Sequence, residues 1–344
     1  MTTIYYTRCP VPTASGVAFQ ADLFAQTFAD TGYQIRNITE LGPEAQNVHY
    51  THAIDEFFRE GGAAPPIWSK ANGVDSVVLA MTFVEEMLGI YVRVDDPARS
   101  VSDLAGRNLA APVWPRLVFN FWRCIGLLGY RSALSTVGLD LDDVNLVDVV
   151  EGWDPSERRN VSADGISKPA RCEYRNQLGA LLDGTVDALF AKGLEAALLE
   201  REAEGRIRLL VDQREFQDPD WKARASIPRV LTTSRRFLEE HPQAAVNYMR
   251  ALIRASRWAD AEPIQVAPLI ARECGVEHGG IGAFVGPDMH NKLLPRVTPG
   301  MTESLQRTID QTHELGFSEQ RFSVHEWIDQ SALHAAYDLE GVSE

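Results

Sequence analysis

The first 40 residues constrain the fold most, because they carry the pattern of a β-α-β unit. Residues 2–7 are β-branched and aromatic, which is typical of a strand. Apolar residues then recur at helical spacing over 15–30, and a second strand-like run covers 33–38. Between the first strand and the helix lies Cys9-Pro10-Val11-Pro12, where Pro10 favours an extended or turn conformation for Cys9. Since open α/β sheets bind ligands at the carboxyl ends of their strands, we expect Cys9 to lie at a ligand site.

Length, composition and charge exclude several classes of protein. The 344 residues, 45% of them hydrophobic, are enough for two globular domains. A formal net charge of −15 argues against a nucleic-acid partner, which would need clustered lysine and arginine. No run approaches the roughly 18 apolar residues of a membrane helix, and the chain starts directly in a strand without a secretion signal. We therefore expect a cytoplasmic protein with no membrane contact.

The cysteines and glycines give no sign of a cofactor. The four cysteines, Cys9, Cys124, Cys172 and Cys274, lack the close pairs of metal sites and are expected to be free thiols. No glycine-rich loop indicates a nucleotide site. A small anion could still be held in a cleft, despite the negative net charge, by local arginines and helix N-termini. We expect no metal and no cofactor.

The rest of the chain predicts a second α/β unit inserted into the first. Strand-like runs cover 74–82, 87–94, 108–112, 146–150, 185–190 and 229–232, and the clearest later helices cover 235–258, 305–315 and 325–336. The chain is expected to pass from one unit to the other at two polar segments, 95–99 and 211–225. These boundaries predict a first lobe of 1–97 and 222–344 and a second lobe of 98–221. Residues 151–170 have the composition of a mobile loop or an insertion.

Three internal segments carry a resemblance to a known fold. They are Asp103-Leu-Ala-Gly-Arg, Leu182-Asp-Gly-Thr-Val-Asp-Ala and Phe237-Leu-Glu-Glu-His-Pro-Gln-Ala-Ala-Val-Asn. The chain resembles the type II periplasmic binding proteins, in the branch that includes sulfonate, taurine and thiamine-precursor proteins. This resemblance implies an α/β, two-lobed fold with a ligand cleft between the lobes. It does not name the ligand, since one fold hosts many functions.

Three N-terminal motifs resemble a narrower family. Tyr5-Tyr-Thr-Arg-Cys-Pro-Val-Pro, His49-Tyr-Thr-His and Arg59-Glu-Gly-Gly are similar to motifs of the 2'-hydroxybiphenyl-2-sulfinate desulfinases of dibenzothiophene desulfurisation. The resemblance implies a cofactor-free enzyme that hydrolyses a carbon–sulfur bond of an organic, aromatic sulfinate and releases sulfite. It carries over Cys9, His49 and Arg59, with ten residues from the histidine to the arginine. The chain departs from the family at Arg8, at His52 and over 114–130.

Roles follow from the chemistry of these groups. We expect Cys9 and His49 to be catalytic, since an imidazole can orient a thiol or activate water, and the start of the helix near Ser15 should favour the thiolate. Arg59 should hold the two sulfinate oxygens through paired donors. The further residues expected to bind the substrate are Gly61, Gly62, Arg8, His52 and Trp114.

Three alternatives stay open on the sequence alone. Cys9 could attack sulfur as a nucleophile, or it could protonate the departing carbon as a thiol. The chain could instead be a non-catalytic binding protein for a sulfonate or related anion, although such a protein needs no thiol. A suicide-type enzyme of pyrimidine biosynthesis on the same fold would need a histidine- and cysteine-rich motif that this sequence lacks. We expect a monomer that acts on a small-molecule sulfinate.

Overall fold

The computed structural model describes residues 1–342 apart from 10, 43, 44, 46, 116, 153–171, 218–226, 277–280, 283, 284 and 287, and leaves out the side chains of Arg8 and Thr39. Within the described residues the strands are β1 (Thr2–Arg8), β2 (Tyr33–Asn37), β3 (Phe57–Gly62), β4 (Ser76–Thr82), β5 (Leu88–Arg93), β6 (Asn108–Val113), β7 (Asn145–Val150), β8 (Ala188–Lys192), β9 (Ile207–Asp212) and β10 (Arg229–Ser234). The α-helices described are α1 (Ala14–Gln20), α2 (Leu23–Phe28), α3 (Val48–Thr51), α4 (Ala64–Ala71), α5 (Phe121–Ser135), α6 (Arg175–Leu182), α7 (Leu194–Ala203), α8 (Arg235–Glu240), α9 (Pro242–Ala261), α10 (Pro263–Cys274), α11 (Pro299–Glu314), α12 (Val324–Trp327) and α13 (Ser331–Glu340).

The strands form two five-stranded sheets, one for each lobe. The first sheet has the order β2-β1-β3-β10-β4, and the second has the order β7-β6-β8-β5-β9. In the first sheet β1 runs parallel to β2 and β3, whereas β10 runs antiparallel to β3 and β4. The pairing of β1 with β2 across α1 and α2 confirms the expected β-α-β opening. The α/β fold with two lobes, expected from the sequence, is confirmed.

The chain leaves the first sheet earlier than the polar segment at 95–99 indicates. Strand β5 pairs with β8 and β9, so the crossing lies between Thr82 and Leu88. The polar residues after β5 form a turn instead, in which buried Asp96 pairs with Arg107 at 2.7 Å. We therefore propose that the first lobe ends before β5. The second expected boundary, at 221 and 222, and nearly all of the expected loop at 151–170 lie outside the described residues.

Aromatic packing joins the first sheet to its helical layer. The Phe58 ring of β3 stacks on Tyr248 of α9 at 4.0 Å between centroids and meets the edge of Phe237 at 5.6 Å. The helical segment expected over 235–258 is split into α8 and α9, because Pro242 cannot continue a helix but suits a first turn. No helix in the described part of the chain is both long and apolar enough to cross a bilayer.

Truncation of Phe58 tests this packing. Its side chain is 0% exposed, so Phe58→Ala should lower the free energy of unfolding by about 3–5 kcal/mol through lost burial and a cavity. Denaturant unfolding followed by circular dichroism measures the loss. The control is Ile264→Ala, a residue that is 85% exposed and should change stability by less than about 0.5 kcal/mol. Equal effects of the two substitutions would contradict the assignment of the core.

Candidate active site

A row of three polar residues crosses the middle of the first sheet. Thr7 of β1 lies opposite Arg59 of β3, and Thr232 of β10 lies opposite Arg59 on the other side. Thr7 and Thr232 each contact one histidine of the segment His49-Tyr-Thr-His52. The row therefore anchors two histidines, one on each side of Arg59.

Cys9 lies where the sequence predicted it, directly after β1 at the carboxyl end of a parallel strand. Its backbone N–H donates to the Glu60 carbonyl at 3.0 Å, which continues the pairing of β1 with β3. A side chain at Gly61 would collide with Cys9 Sγ. Glycine is therefore required at 61 for the close approach of β3 to the thiol.

His49 lies in the helical turn α3. Its Nδ1 lies 3.1 Å from Thr7 Oγ1, and its Nε2 lies 3.5 Å from Cys9 Sγ. Arg59 Nη2 is also 3.1 Å from Nε2. Because a guanidinium has only donors, Nε2 must accept, so the proton is on Nδ1 and points to Thr7. The Nε2 lone pair thus lies in the space between the thiol and the arginine.

Arg59 is a fully buried cation with one donor group free. Its Nε donates to the His49 carbonyl at 2.9 Å, and its Nη2 lies 4.0 Å from Cys9 Sγ. Nη1 has no hydrogen-bond partner among the described residues. Burial lowers the pKa of Arg59 to about 10, and the charge of a Cys9 thiolate acts in the opposite direction. Arg59 is therefore still charged at neutral pH and has an N–H group available for an anion.

Glu60, the residue after Arg59 in β3, binds the first backbone N–H groups of α1. The sequence had predicted that this helix start would favour the Cys9 thiolate. The backbone N–H groups of Ala14 and Ser15 donate to the Glu60 carboxylate at 3.3 and 2.8 Å. Burial raises the pKa of Glu60, and the hydrogen bonds from Ser15 and the charge of Arg229 oppose that rise. The first amides of α1 thus serve Glu60, and among the described groups Arg59 is the cation that contacts the thiol.

His52 has a structural environment, although the sequence predicted a substrate contact. Its Nε2 lies 2.9 Å from Thr232 Oγ1, and its Nδ1 lies 3.1 Å from Ser69 Oγ. Burial, with a smaller contribution from the charge of Arg59, lowers its pKa to about 3. A neutral ring with both nitrogens engaged is suited to fixing the turn after α3, where His52 has a left-handed φ of 53°.

The structure bears differently on each of the other residues predicted to bind the substrate. Trp114 is only 2% exposed and packs near Trp122 and Tyr174, which leaves it little surface for a ligand. Gly61 and Gly62 end β3 beside Cys9, and their contact with a ligand stays a prediction. The prediction for Arg8 concerns a side chain outside the described part of the structure.

An aromatic pair that sequence reasoning missed lies next to His49. Tyr50 of α3 stacks on Phe121 of α5 with centroids 5.5 Å apart, so the contact joins the first lobe to the second. Tyr50 also meets the His49 ring at 5.2 Å. Thr7 was missed as well, although the period of two in a strand places it on the same face as Cys9. Tyr50 had no such signal, because its contact depends on how the lobes meet.

Curated proteins of known function match most of the chain. The chain is 26% identical over 329 residues to the 2'-hydroxybiphenyl-2-sulfinate desulfinases of Rhodococcus erythropolis and Rhodococcus qingshengii, which covers 89% of this chain and 86% of each relative. No protein-family model matches the chain.

Solved structures show the same fold. A cysteine-to-serine mutant of the desulfurization enzyme DszB, in complex with biphenyl-2-sulfinic acid, superposes with a TM-score of 0.71 at 22% identity, covering 98% of this chain and 99% of that one. The aliphatic sulphonate binding protein SsuA of Escherichia coli has a TM-score of 0.63 at 16% identity, covering 96% and 92%. The chain is therefore similar, over most of its length, to the 2'-hydroxybiphenyl-2-sulfinate desulfinases, and it has the two-lobed fold that DszB shares with the sulphonate binding protein SsuA.

Proposed function

We propose that this chain is a desulfinase that hydrolyses the carbon–sulfur bond of an aromatic sulfinate and releases sulfite. The observation that carries the proposal is Nη1 of a fully buried arginine, which has no hydrogen-bond partner in the described part of the chain and lies on a guanidinium beside a thiol and an imidazole. A buried charge without a partner is costly, so the site is suited to an anion that supplies one. The names of the curated relatives support a sulfinate as that anion.

Binding would place the sulfinate sulfur close to Cys9. Arg59 Nη1 would donate to one sulfinate oxygen, while Arg59 Nη2 already points towards Cys9 Sγ at 4.0 Å. The guanidinium would offset the repulsion between a sulfinate anion and a thiolate. Gly61 and Gly62 would let the ligand approach the end of β3 without a side chain in the way.

His49 would act first as a base and then as an acid. Nε2 accepts the thiol proton, and the thiolate attacks sulfur as the carbon–sulfur bond breaks. The proton then passes from Nε2 to the departing carbon, which leaves the arene and a Cys9 S–SO2⁻ adduct. Water next attacks that adduct at sulfur and gives bisulfite and the free thiol. Thr7 holds the reactive tautomer throughout, because Nδ1 keeps its proton.

The alternative, in which the Cys9 thiol protonates the carbon directly, uses the same three residues but forms no adduct. The carbon–sulfur bond then breaks to release SO2, which water converts to bisulfite, and the thiolate regains a proton through His49. Mass spectrometry of protein quenched during turnover separates the routes. Only the nucleophilic route yields a modified Cys9.

An aromatic substrate fits the wall next to His49. Tyr50 and Phe121 stack there with an interplanar angle of 23°, and Phe121 continues to Trp122 at 4.7 Å. A planar ring can pack against such a wall with a gain beyond burial alone. Tyr50 itself is only 4% exposed and packs behind Phe121, so we propose that the aryl group of the sulfinate lies along the partly exposed rings of Phe121 and Trp122.

Sulfite release tests the function directly. The purified chain should release sulfite and one equivalent of arene from 2'-hydroxybiphenyl-2-sulfinate or biphenyl-2-sulfinate, and should act poorly on methanesulfinate. Cys9→Ser should lose turnover by about 10³-fold or more, because serine does not form the nucleophilic anion.

Cys124→Ser is the matched control for that substitution. Cys124 is buried in α5, and burial raises its pKa to about 12, so it is not a reactive thiol. Its replacement should leave kcat/KM near the wild-type value. Tight binding of sulfonates by the wild type without turnover of any sulfinate would show a binding protein instead.

Arg59→Lys tests the anion clamp. Lysine keeps the charge but has one ammonium, which cannot serve the His49 carbonyl, His49 Nε2 and a ligand oxygen from three fixed positions. We expect kcat/KM to fall by about 10²-fold, the scale of losing an oxyanion donor. The control is Arg36→Lys, at an exposed arginine paired with Glu40, which should have no effect on turnover. Wild-type kinetics in Arg59→Lys would remove Arg59 from the site.

A further inference from the structure

The chain passes from the first lobe to the second and later returns. A buried charged residue lies at each of these two places, and the two charges are opposite. Glu86 lies in the crossing between β4 and β5, and Arg229 is the first residue of β10, where the chain returns to the first sheet. Their exposed fractions are 8% and 4%. Arg229 Nη2 lies 2.5 Å from Glu86 Oε1, so this ion pair links the outgoing chain to the returning chain.

A third charge ties the pair to the second lobe. Lys192, the last residue of β8, places its Nζ 3.0 Å from Glu86 Oε2. Burial opposes ionisation of Glu86, but Arg229 and Lys192 outweigh it and lower the Glu86 pKa to about 2. Glu86 is therefore charged at neutral pH and binds one cation from each sheet.

The second terminal nitrogen of the Arg229 guanidinium contacts the loop between Cys9 and α1. Arg229 Nη1 donates to the Pro12 carbonyl at 2.5 Å, between Cys9 and α1. Glu60 holds the same loop on both sides: its carbonyl accepts from the Cys9 N–H, and its carboxylate accepts from the Ser15 N–H. Among these described contacts of the loop, the one made by Arg229 leads on to the second lobe.

We propose that Arg229 is a positioning residue that sets the place of Cys9 and couples it to the second lobe through Glu86 and Lys192. Cys9 Sγ is only 3.5 Å from His49 Nε2 and 4.0 Å from Arg59 Nη2, so a shift of about 1 Å would break both contacts. A movement of β8 acts on Lys192, then on Glu86 and Arg229, and reaches the loop at Pro12. Arg229 therefore affects the reaction without touching the substrate.

Arg229→Lys tests the positioning role. One ammonium keeps the charge beside Glu86 but cannot hold the Pro12 carbonyl with a second nitrogen in the same geometry. Cys9 Sγ should move away from Arg59 and from His49 Nε2, the base placed to take its proton, so its alkylation by iodoacetamide at neutral pH should slow by about tenfold or more. Peptide mass spectrometry identifies the modified cysteine. Turnover should lose about 10- to 10²-fold in kcat with little change in KM, since Arg59 still binds the anion.

Two further variants make the test decisive. Arg250→Lys changes a partly buried arginine that bonds Glu340, and it should lower stability without changing the alkylation rate of Cys9. Lys192→Met removes only the contact with the second lobe, and it should also slow alkylation, by a smaller factor. If Arg229→Lys does not fold, Lys192→Met carries the test. The proposal would be overturned if Cys9 were alkylated within twofold of the wild-type rate in whichever of Arg229→Lys and Lys192→Met fold.

The inference rests on the proposed function only in taking Cys9 as the reacting group. Alkylation needs no substrate, so the two proposals fail separately. Slow alkylation in Arg229→Lys together with no sulfite release by the wild type would support the positioning role and reject the desulfinase. Unchanged alkylation in Arg229→Lys together with sulfite release by the wild type would reject the positioning role and support the desulfinase.

Discussion

The buried guanidinium of Arg59 is the group on which the rest of the site depends. A cation that is 0% exposed on a central strand carries a large desolvation cost, which the His49 carbonyl and ring only partly offset. Nη1 has no partner among the described residues, and in the proposed function a bound anion would supply one. Arg59 also fixes the histidine tautomer, because it can only donate to Nε2. In this proposal one residue determines both where the anion binds and which atom of His49 accepts a proton.

The first sheet holds the side chains around Arg59 in fixed positions. Thr7 and Thr232 flank Arg59 on neighbouring strands and hold His49 and His52. Groups on rigid strands stay within the few tenths of an ångström that catalysis requires, which a loop alone would not ensure. The opposite side of β3 uses Glu60 to fix the start of α1, so the two faces have separate roles. One face carries the groups that we propose bind and react, and the other face holds the thiol loop in place.

The sequence predicted the main features of the fold, because those depend on local patterns, and it singled out Cys9, His49 and Arg59, whose side chains lie together in the structure. The alternation and helical spacing near the N-terminus indicated the β-α-β unit, and the motifs around Cys9, His49 and Arg59 indicated the site. The contacts of His52 and Trp114 could not be predicted, since they depend on Thr232 and on Tyr174, far along the chain. The crossing before β5 was missed for a similar reason. A polar turn held by the Asp96–Arg107 pair has the same composition as a linker.

The most direct test of the central claim is a crystal structure of Cys9→Ser with bound biphenyl-2-sulfinate. We predict a sulfinate oxygen about 3 Å from Arg59 Nη1, with the sulfur facing Ser at position 9 and the aryl group along Phe121 and Trp122. Nδ1 of His49 should remain on Thr7. A sulfinate bound elsewhere, with Arg59 Nη1 still unpartnered or bonded to a protein group, would contradict the account.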